Sequence, residues 1–139
     1  MKRKNSHVSL NDTKEEKRTF SSALTRMKVQ DILSPCGFAV LAGKEGLDRE
    51  IAGIYCCDLL SMVMGKAFPG CCWVTIMGNV NSIAVASLAD AACIVFAESV
   101  RPDQAAMERA GALGIPLLQS DKPIFETALS VYQLTQAPE

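Results

Sequence analysis

Apolar and polar positions divide the chain into two regimes. Residues 1–25 (MKRKNSHVSLNDTKEEKRTFSSALT) carry no sustained apolar period. Their Lys, Ser, Asn and Glu cannot bury enough surface to offset the entropy of ordering. A fold is expected from Met27 onward. Val29, Ile32 and Leu33 fall at i, i+3 and i+4, which predicts a short amphipathic helix over 28–33, halted by Pro35 and Gly37. Residues 38–41 read as a strand, Gly43 to Gly46 as a turn, and 50–57 as a second strand built on Ile51, Ile54 and Tyr55. Asp58 stands before the run Leu59-Leu60-Ser61-Met62-Val63-Met64, which predicts a helix with Asp58 as its N-cap.

After the break at Pro69-Gly70 the pattern alternates. Residues 72–77 (CWVTIM) form a continuous apolar run, as expected of a strand covered on both faces. Gly78-Asn79 turns into a helix over 81–91, and 93–97 is a further buried strand. Pro102-Asp103 opens a helix with Ala106, Met107, Ala110 and Leu113 on one stripe, ended by Gly114. Residues 115–118 are a short strand. Asp121-Lys122-Pro123 starts a last helix, with Ile124, Ala128, Val131 and Leu134 on one stripe and Phe125, Leu129 and Tyr132 beside it. The order β-α-β-α-β-α predicts an α/β domain with a mainly parallel sheet flanked by helices. The expected division is a disordered basic leader over 1–26 and one domain over 27–137.

Composition narrows the partners. The 139 residues are 49% hydrophobic and 21% charged, which is globular and enough for one core. Residues 1–26 hold seven Lys/Arg against three acids, +4, whereas 27–139 hold seven against twelve, −5. An acidic body argues against nucleic acid, which needs a concentrated basic face. The apolar runs fall short of the roughly 20 residues needed to span a bilayer, and the first 20 residues lack a signal-peptide core. The six cysteines (Cys36, Cys56-Cys57, Cys71-Cys72, Cys93) form no C-x2-C pairing for zinc. They read as reduced thiols in a cytoplasm, mostly small core hydrophobes, with no metal or cofactor expected.

Catalytic machinery is sparse. Neither Gly43-Lys44 nor Gly65-Lys66 fits a phosphate loop, because Phe38 and Leu60 stand at the first glycine and Glu45 and Ala67 at the hydroxyl position. The one histidine, His7, lies in the leader, so a Ser–His or Cys–His mechanism has no base in the body. Asp58 and Glu98 both follow predicted strands and would be the paired carboxylates of an acid–base mechanism, but strand-end acids usually serve as caps. The expectation is a non-enzyme.

A binding site is expected where strand ends, loops and helix N-termini converge. Three such ends are legible: Asp58 with Ser61, the segment Thr75-Ile76-Met77-Gly78-Asn79-Val80-Asn81, and Glu98-Ser99. Gly78 would let a ligand approach the backbone, Asn79 and Asn81 offer amides, and the following helix points its N–H groups there. Asn79 reads equally as ligand contact or helix cap, and Asn81 reads more as a cap. Candidate ligand-binding residues are Asp58, Ser61, Thr75, Gly78, Asn79, Asn81 and Glu98.

These same residues carry a resemblance. Gly46-Leu47-Asp48-Arg49-Glu50-Ile51, Cys57-Asp58-Leu59-Leu60-Ser61, Thr75 through Leu88, Gly114-Ile115-Pro116-Leu117-Leu118 and the Phe125-Glu126 helix resemble the DRTGG domain family, over about residues 27–135. Gly78-Asn79-Val80 stands where that family has its eponymous Asp-Arg, so the charged pair is absent. The resemblance implies a fold similar to the N-terminal domain of bacterial HPr kinase/phosphorylase and to a domain of some phosphate acetyltransferases. It also implies a regulatory role, frequent pairing with CBS modules, and self-association. The expected function is a bacterial regulatory or sensor domain that binds a small polar or anionic ligand, such as a nucleotide or phosphorylated metabolite. It would act as a homodimer or through a partner protein. Two alternatives are a protein-interaction subunit without ligand and a thiol redox switch centred on Cys71-Cys72, of which Cys71 is expected to be the less buried.

Overall fold

The computed structural model describes residues 27–136. The expected leader, His7 and residue 137 lie outside them. Eleven elements follow in order: α1 (Val29–Cys36), β1 (Ala39–Ala42), a 3-10 turn (Lys44–Gly46), β2 (Gly53–Cys56), α2 (Leu60–Lys66), β3 (Cys71–Thr75), α3 (Val80–Ala89), β4 (Cys93–Phe96), α4 (Gln104–Leu113), β5 (Leu117–Gln119) and α5 (Ile124–Thr135). The architecture is α/β, with one five-stranded sheet in the order β1-β5-β4-β3-β2. Strands β2 to β5 are parallel and β1 runs antiparallel to β5 at the edge.

The chain passes through β2, β3, β4 and β5 in spatial order, one step at a time. Successive crossovers of one hand therefore place α2, α3 and α4 on the same face. That face is filled by Val63, Ile83, Ala86, Ala106 and Ala110 against Trp73, Ile94, Phe96 and Leu117. Helices α1 and α5 cover the other face, with Val29, Ile32 and Val131 against Cys72, Val74, Cys93, Val95 and Leu118. Every residue of β3 and β4 is buried, which explains why both read as unbroken apolar runs.

Several local expectations are corrected. Helix α1 runs through Pro35 to Cys36. Pro35 has no N–H and so forfeits one intrahelical bond, and Gly37 closes the helix at φ 71, with its N–H donating to Ser34 O and that of Phe38 to Leu33 O. The strand expected over 50–57 is shorter, Gly53–Cys56. Asp58 is not the N-cap of α2; Leu59 holds that position with no side-chain cap, and the Asp58 carboxylate is used elsewhere. Strand β3 ends at Thr75, leaving Ile76 and Met77 in the following turn. Asn79, rather than Asn81, caps α3, and α3 stops at Asp90 in the left-handed region, short of Ala91. Leu113 at the end of the α4 stripe is exposed and lies outside the core. Cys71 is fully buried on the α2–α4 face, not the more accessible of its pair.

Candidate functional site

The carboxyl ends of β2 and β3 are tied together by one side chain. Asp58 Oδ1 accepts a hydrogen bond from Thr75 Oγ1 at 2.7 Å and from the N–H of Ile76 at 3.0 Å. Thr75 Oγ1 in turn accepts from the N–H of Met77 at 3.2 Å. A buried threonine at the last position of a central strand needs a partner for its hydroxyl, and the carboxylate supplies it. The Trp73 Nε1–H donates to Cys57 O at 2.9 Å, which holds the loop after β2 against β3 one residue before Asp58.

The turn after β3 is equally determined. Asn79 Oδ1 accepts from the N–H groups of Asn81 and Ser82 at 2.9 and 3.2 Å, capping α3. Ser82, fully buried, donates to Met77 O. Gly78 lies against the loop before α4: a Cβ there would sit 2.8 Å from Pro102 Cα, and Gly78 O accepts from the Asp103 N–H at 2.9 Å. The glycine is thus required for close backbone packing, independently of any ligand. Ser61 in the first turn of α2 and Asn81 in the first turn of α3 have exposed side chains beside this network.

Glu98 goes elsewhere. It follows β4 at φ 61, with Ser99 at φ 58, two consecutive non-glycine residues in the left-handed region. Its Oε2 accepts from the Ile124 N–H at 3.3 Å, at the start of α5 on the opposite face. The loop is pinned by Glu98 N–H to Lys122 O, Ser99 N–H to Ser120 O, and Ser99 Oγ to Asp121 Oδ1 at 2.9 Å. The structure therefore bonds Asp58 to Thr75 directly, reaches Asn79 only through Ser82 and Met77, ties Gly78 to Asp103 instead, leaves the Ser61 and Asn81 side chains exposed nearby, and gives Glu98 a separate capping partner.

Residues not expected in a site lie together at the other end of the sheet. Arg49 donates to Ala91 O at 2.7 Å and pairs with Asp90 Oδ1 at 2.7 Å. With Ser87, Leu113 and Ile115 they line a shallow depression of about 130 Å³. An arginine in a loop between strands gives no periodic signal. Its role emerges only when the ends of α3 and β2 are adjacent in space.

Four of the cysteines, Cys36, Cys71, Cys72 and Cys93, are buried. Burial pushes the Cys71 thiol up to about 11, and Cys72, hydrogen-bonded to Cys93 and wholly enclosed, is also raised well above its ordinary range. A buried thiol held protonated is a poor nucleophile, which argues against a Cys71-Cys72 redox switch. Cys56, the exposed one, also has a raised pKa, mainly from burial of its sulfur. Among the described residues no group of three or more His, Cys, Asp and Glu side chains could hold a metal ion. Among them, too, no helix is long and apolar enough to cross a membrane.

No family model matches the chain, and no curated protein matches it. Among solved structures it is similar to the CBS and DRTGG domains of the regulatory region of a Clostridium perfringens pyrophosphatase, crystallised with the activator diadenosine tetraphosphate. The TM-score is 0.60 at 10% identity, covering 93% of this chain and 53% of that one. This chain thus spans about half the length of the structure it matches. At this identity the likeness concerns the fold alone.

Proposed function

We propose that this chain is a non-catalytic regulatory domain of the DRTGG type, which binds a small polar ligand at the carboxyl ends of β2 and β3. The observation that carries the reading is the Asp58–Thr75–Ile76 network. One strand-end carboxylate organises the backbone of the next loop, while its second oxygen and the side chains of Ser61 and Asn81 stay at the surface. A nucleotide is the favoured ligand class, and the similar pyrophosphatase region is a regulatory one bound to a nucleotide activator. The exposed carboxylate of Asp58 suits hydroxyl and amino donors, as on a ribose or base, better than a bare phosphate. Glu98 belongs to the site only if ligand binding releases it from Ile124. The domain would act in a bacterial cytoplasm by self-association or by contact with a partner protein.

Thermal denaturation with and without nucleotides, phosphorylated metabolites and acyl-CoA compounds tests this. A ligand at 100 times its Kd contributes about 2.7 kcal/mol, which raises the midpoint measurably. The shift should vanish in Asp58→Asn. No stabilisation by any of the three classes overturns the reading.

A further inference from the structure

Strands β4 and β5 are adjacent and parallel, yet the helices that follow them lie on opposite faces. Helix α4 packs with Ile94, Phe96 and Leu117, and α5 with Cys93, Val95 and Leu118. The loops leaving the two carboxyl ends must therefore part, and in open parallel sheets such a parting is where ligands settle. Here it is bridged. Gln119 Nε2 donates to Ser99 O at 3.3 Å and to Val100 O at 2.9 Å. The Glu98 and Ser99 N–H groups donate to Lys122 O and Ser120 O at 2.8 and 2.9 Å, and the Glu98 carboxylate accepts from the Ile124 N–H. The loop that receives these bonds is itself fixed from within by the buried hydroxyls of Ser120 and Thr127, 2.7 Å apart.

The bridge demands an unusual backbone. Glu98 and Ser99 stand consecutively at φ 61 and 58, a region that suits glycine and is costly for a residue with a Cβ. The one other such residue among those described, Asp90, closes a helix, where this conformation is ordinary. Both Glu98 and Ser99 are exposed, so core packing does not impose their conformation; the bonds between the loops do. Strain held by its surroundings at a strand end marks a segment with a second arrangement open to it. The far end of the same loop touches the candidate site. A Cβ on Gly78 would lie 2.8 Å from Pro102 Cα, and Gly78 O accepts from the Asp103 N–H at 2.9 Å. One loop, residues 98–103, thus joins the turn after β3 to the first turn of α5 on the opposite face.

We propose that residues 98–103 form a strained strap that couples the turn after β3 to the start of α5 across the carboxyl edge of the sheet. A shift at Gly78 moves Pro102, and the strap yields at Glu98 and Ser99, which relax and release Ile124. Two discrete arrangements of one element are what such coupling requires. The proposal deepens the reading above by naming how occupancy of the site is passed on, and it rests on that reading only for the source of the shift. Amide exchange of the full chain, without ligand, tests it. Gly78→Ala displaces Pro102 and should speed exchange of the Glu98, Ser99 and Ile124 amides by about tenfold, relative to Trp73 and Val95 in the central strands, which report global opening. Asp58→Asn disturbs the same turn from its other side and should act on Ile124 in the same direction, so the test survives a Gly78→Ala chain that does not fold. Ser99→Gly holds φ 58 without strain. It should leave the denaturation midpoint no lower and abolish the response of Ile124 to Gly78→Ala or Asp58→Asn. Faster exchange confined to residues 76–81 and 100–103 overturns the strap, as does an unchanged Ile124 response in the Ser99→Gly background. A lowered midpoint in Ser99→Gly removes the strain and with it the device. A responsive strap in a chain that no compound stabilises overturns the ligand reading alone; a stabilising compound with an unresponsive strap overturns the strap alone.

Discussion

Thr75 Oγ1 donates to Asp58 Oδ1 across 2.7 Å, joining the ends of two adjacent parallel strands through side chains 17 residues apart. The hydroxyl is buried and the carboxylate lies at the surface, so the bond makes an inner strand end answerable to whatever meets the loop above it. Removing either partner has a calculable consequence. Thr75→Val leaves Met77 N–H without its acceptor, and Asp58→Ala leaves a buried hydroxyl and the Ile76 N–H without theirs. Each should cost about 1–3 kcal/mol in urea unfolding. The double variant should cost less than the sum, because the shared bond is lost only once. Additivity in the cycle would show that the two residues act independently.

Gly78 and Gly43 give a paired test of close packing. A Cβ at Gly43 would meet Ile115 O at 2.0 Å with φ at +74, so backbone must move and strain is added. At Gly78 the nearest atom is Pro102 Cα at 2.8 Å. Gly43→Ala should be the more damaging, by more than about 3 kcal/mol, and Gly78→Ala should cost about 1–3 kcal/mol. The order of their denaturation midpoints decides this.

Alkaline pH should destabilise the domain through its thiols. The folded Cys71 pKa lies near 11 against 9.0 for an ordinary thiol, so the unfolded chain loses this proton first. Stability from this group is complete below pH 9 and declines as pH rises towards 11, by about 3 kcal/mol at most. Cys72 and Cys36 shift in the same direction and steepen the fall. Urea midpoints measured from pH 7 to 10.5 should drop, and Cys71→Ala should flatten the curve. A flat profile in the native chain would contradict the burial of these sulfurs.

Thiol reactivity should follow exposure. Iodoacetamide should label Cys56 first and Cys57 next, with Cys36, Cys71, Cys72 and Cys93 modified only on unfolding. Mass spectrometry of a time course reads the order directly. Early labelling of Cys71 would revive the redox alternative.

Much of this was written into the linear pattern. The alternation from residue 72 onward, the Asn79 and Asp103 positions ahead of their helices, and the core stripe of α5 are local properties, so periodicity and capping chemistry were enough to read them. The apolar runs of β3 and β4 announced strands covered on both faces because burial leaves no polar alternation. Which strand lies beside which could not be read, since pairing joins residues far apart in sequence. That is why β1 as an antiparallel edge, the single-direction order of the parallel strands, and the Arg49–Asp90 pair emerged only in three dimensions. Asp58 shows the limit best. Its sequence context suggests a helix cap, yet a buried Thr75 hydroxyl on the neighbouring strand is the stronger claimant for its carboxylate. Glu98 is the mirror case, drawn to the start of α5 by a loop conformation that no neighbouring residue encodes. The order of elements was settled locally by side-chain periodicity. The pairing of polar groups was settled by the tertiary fold, because a hydrogen bond depends on which atoms are brought within about 3 Å of one another.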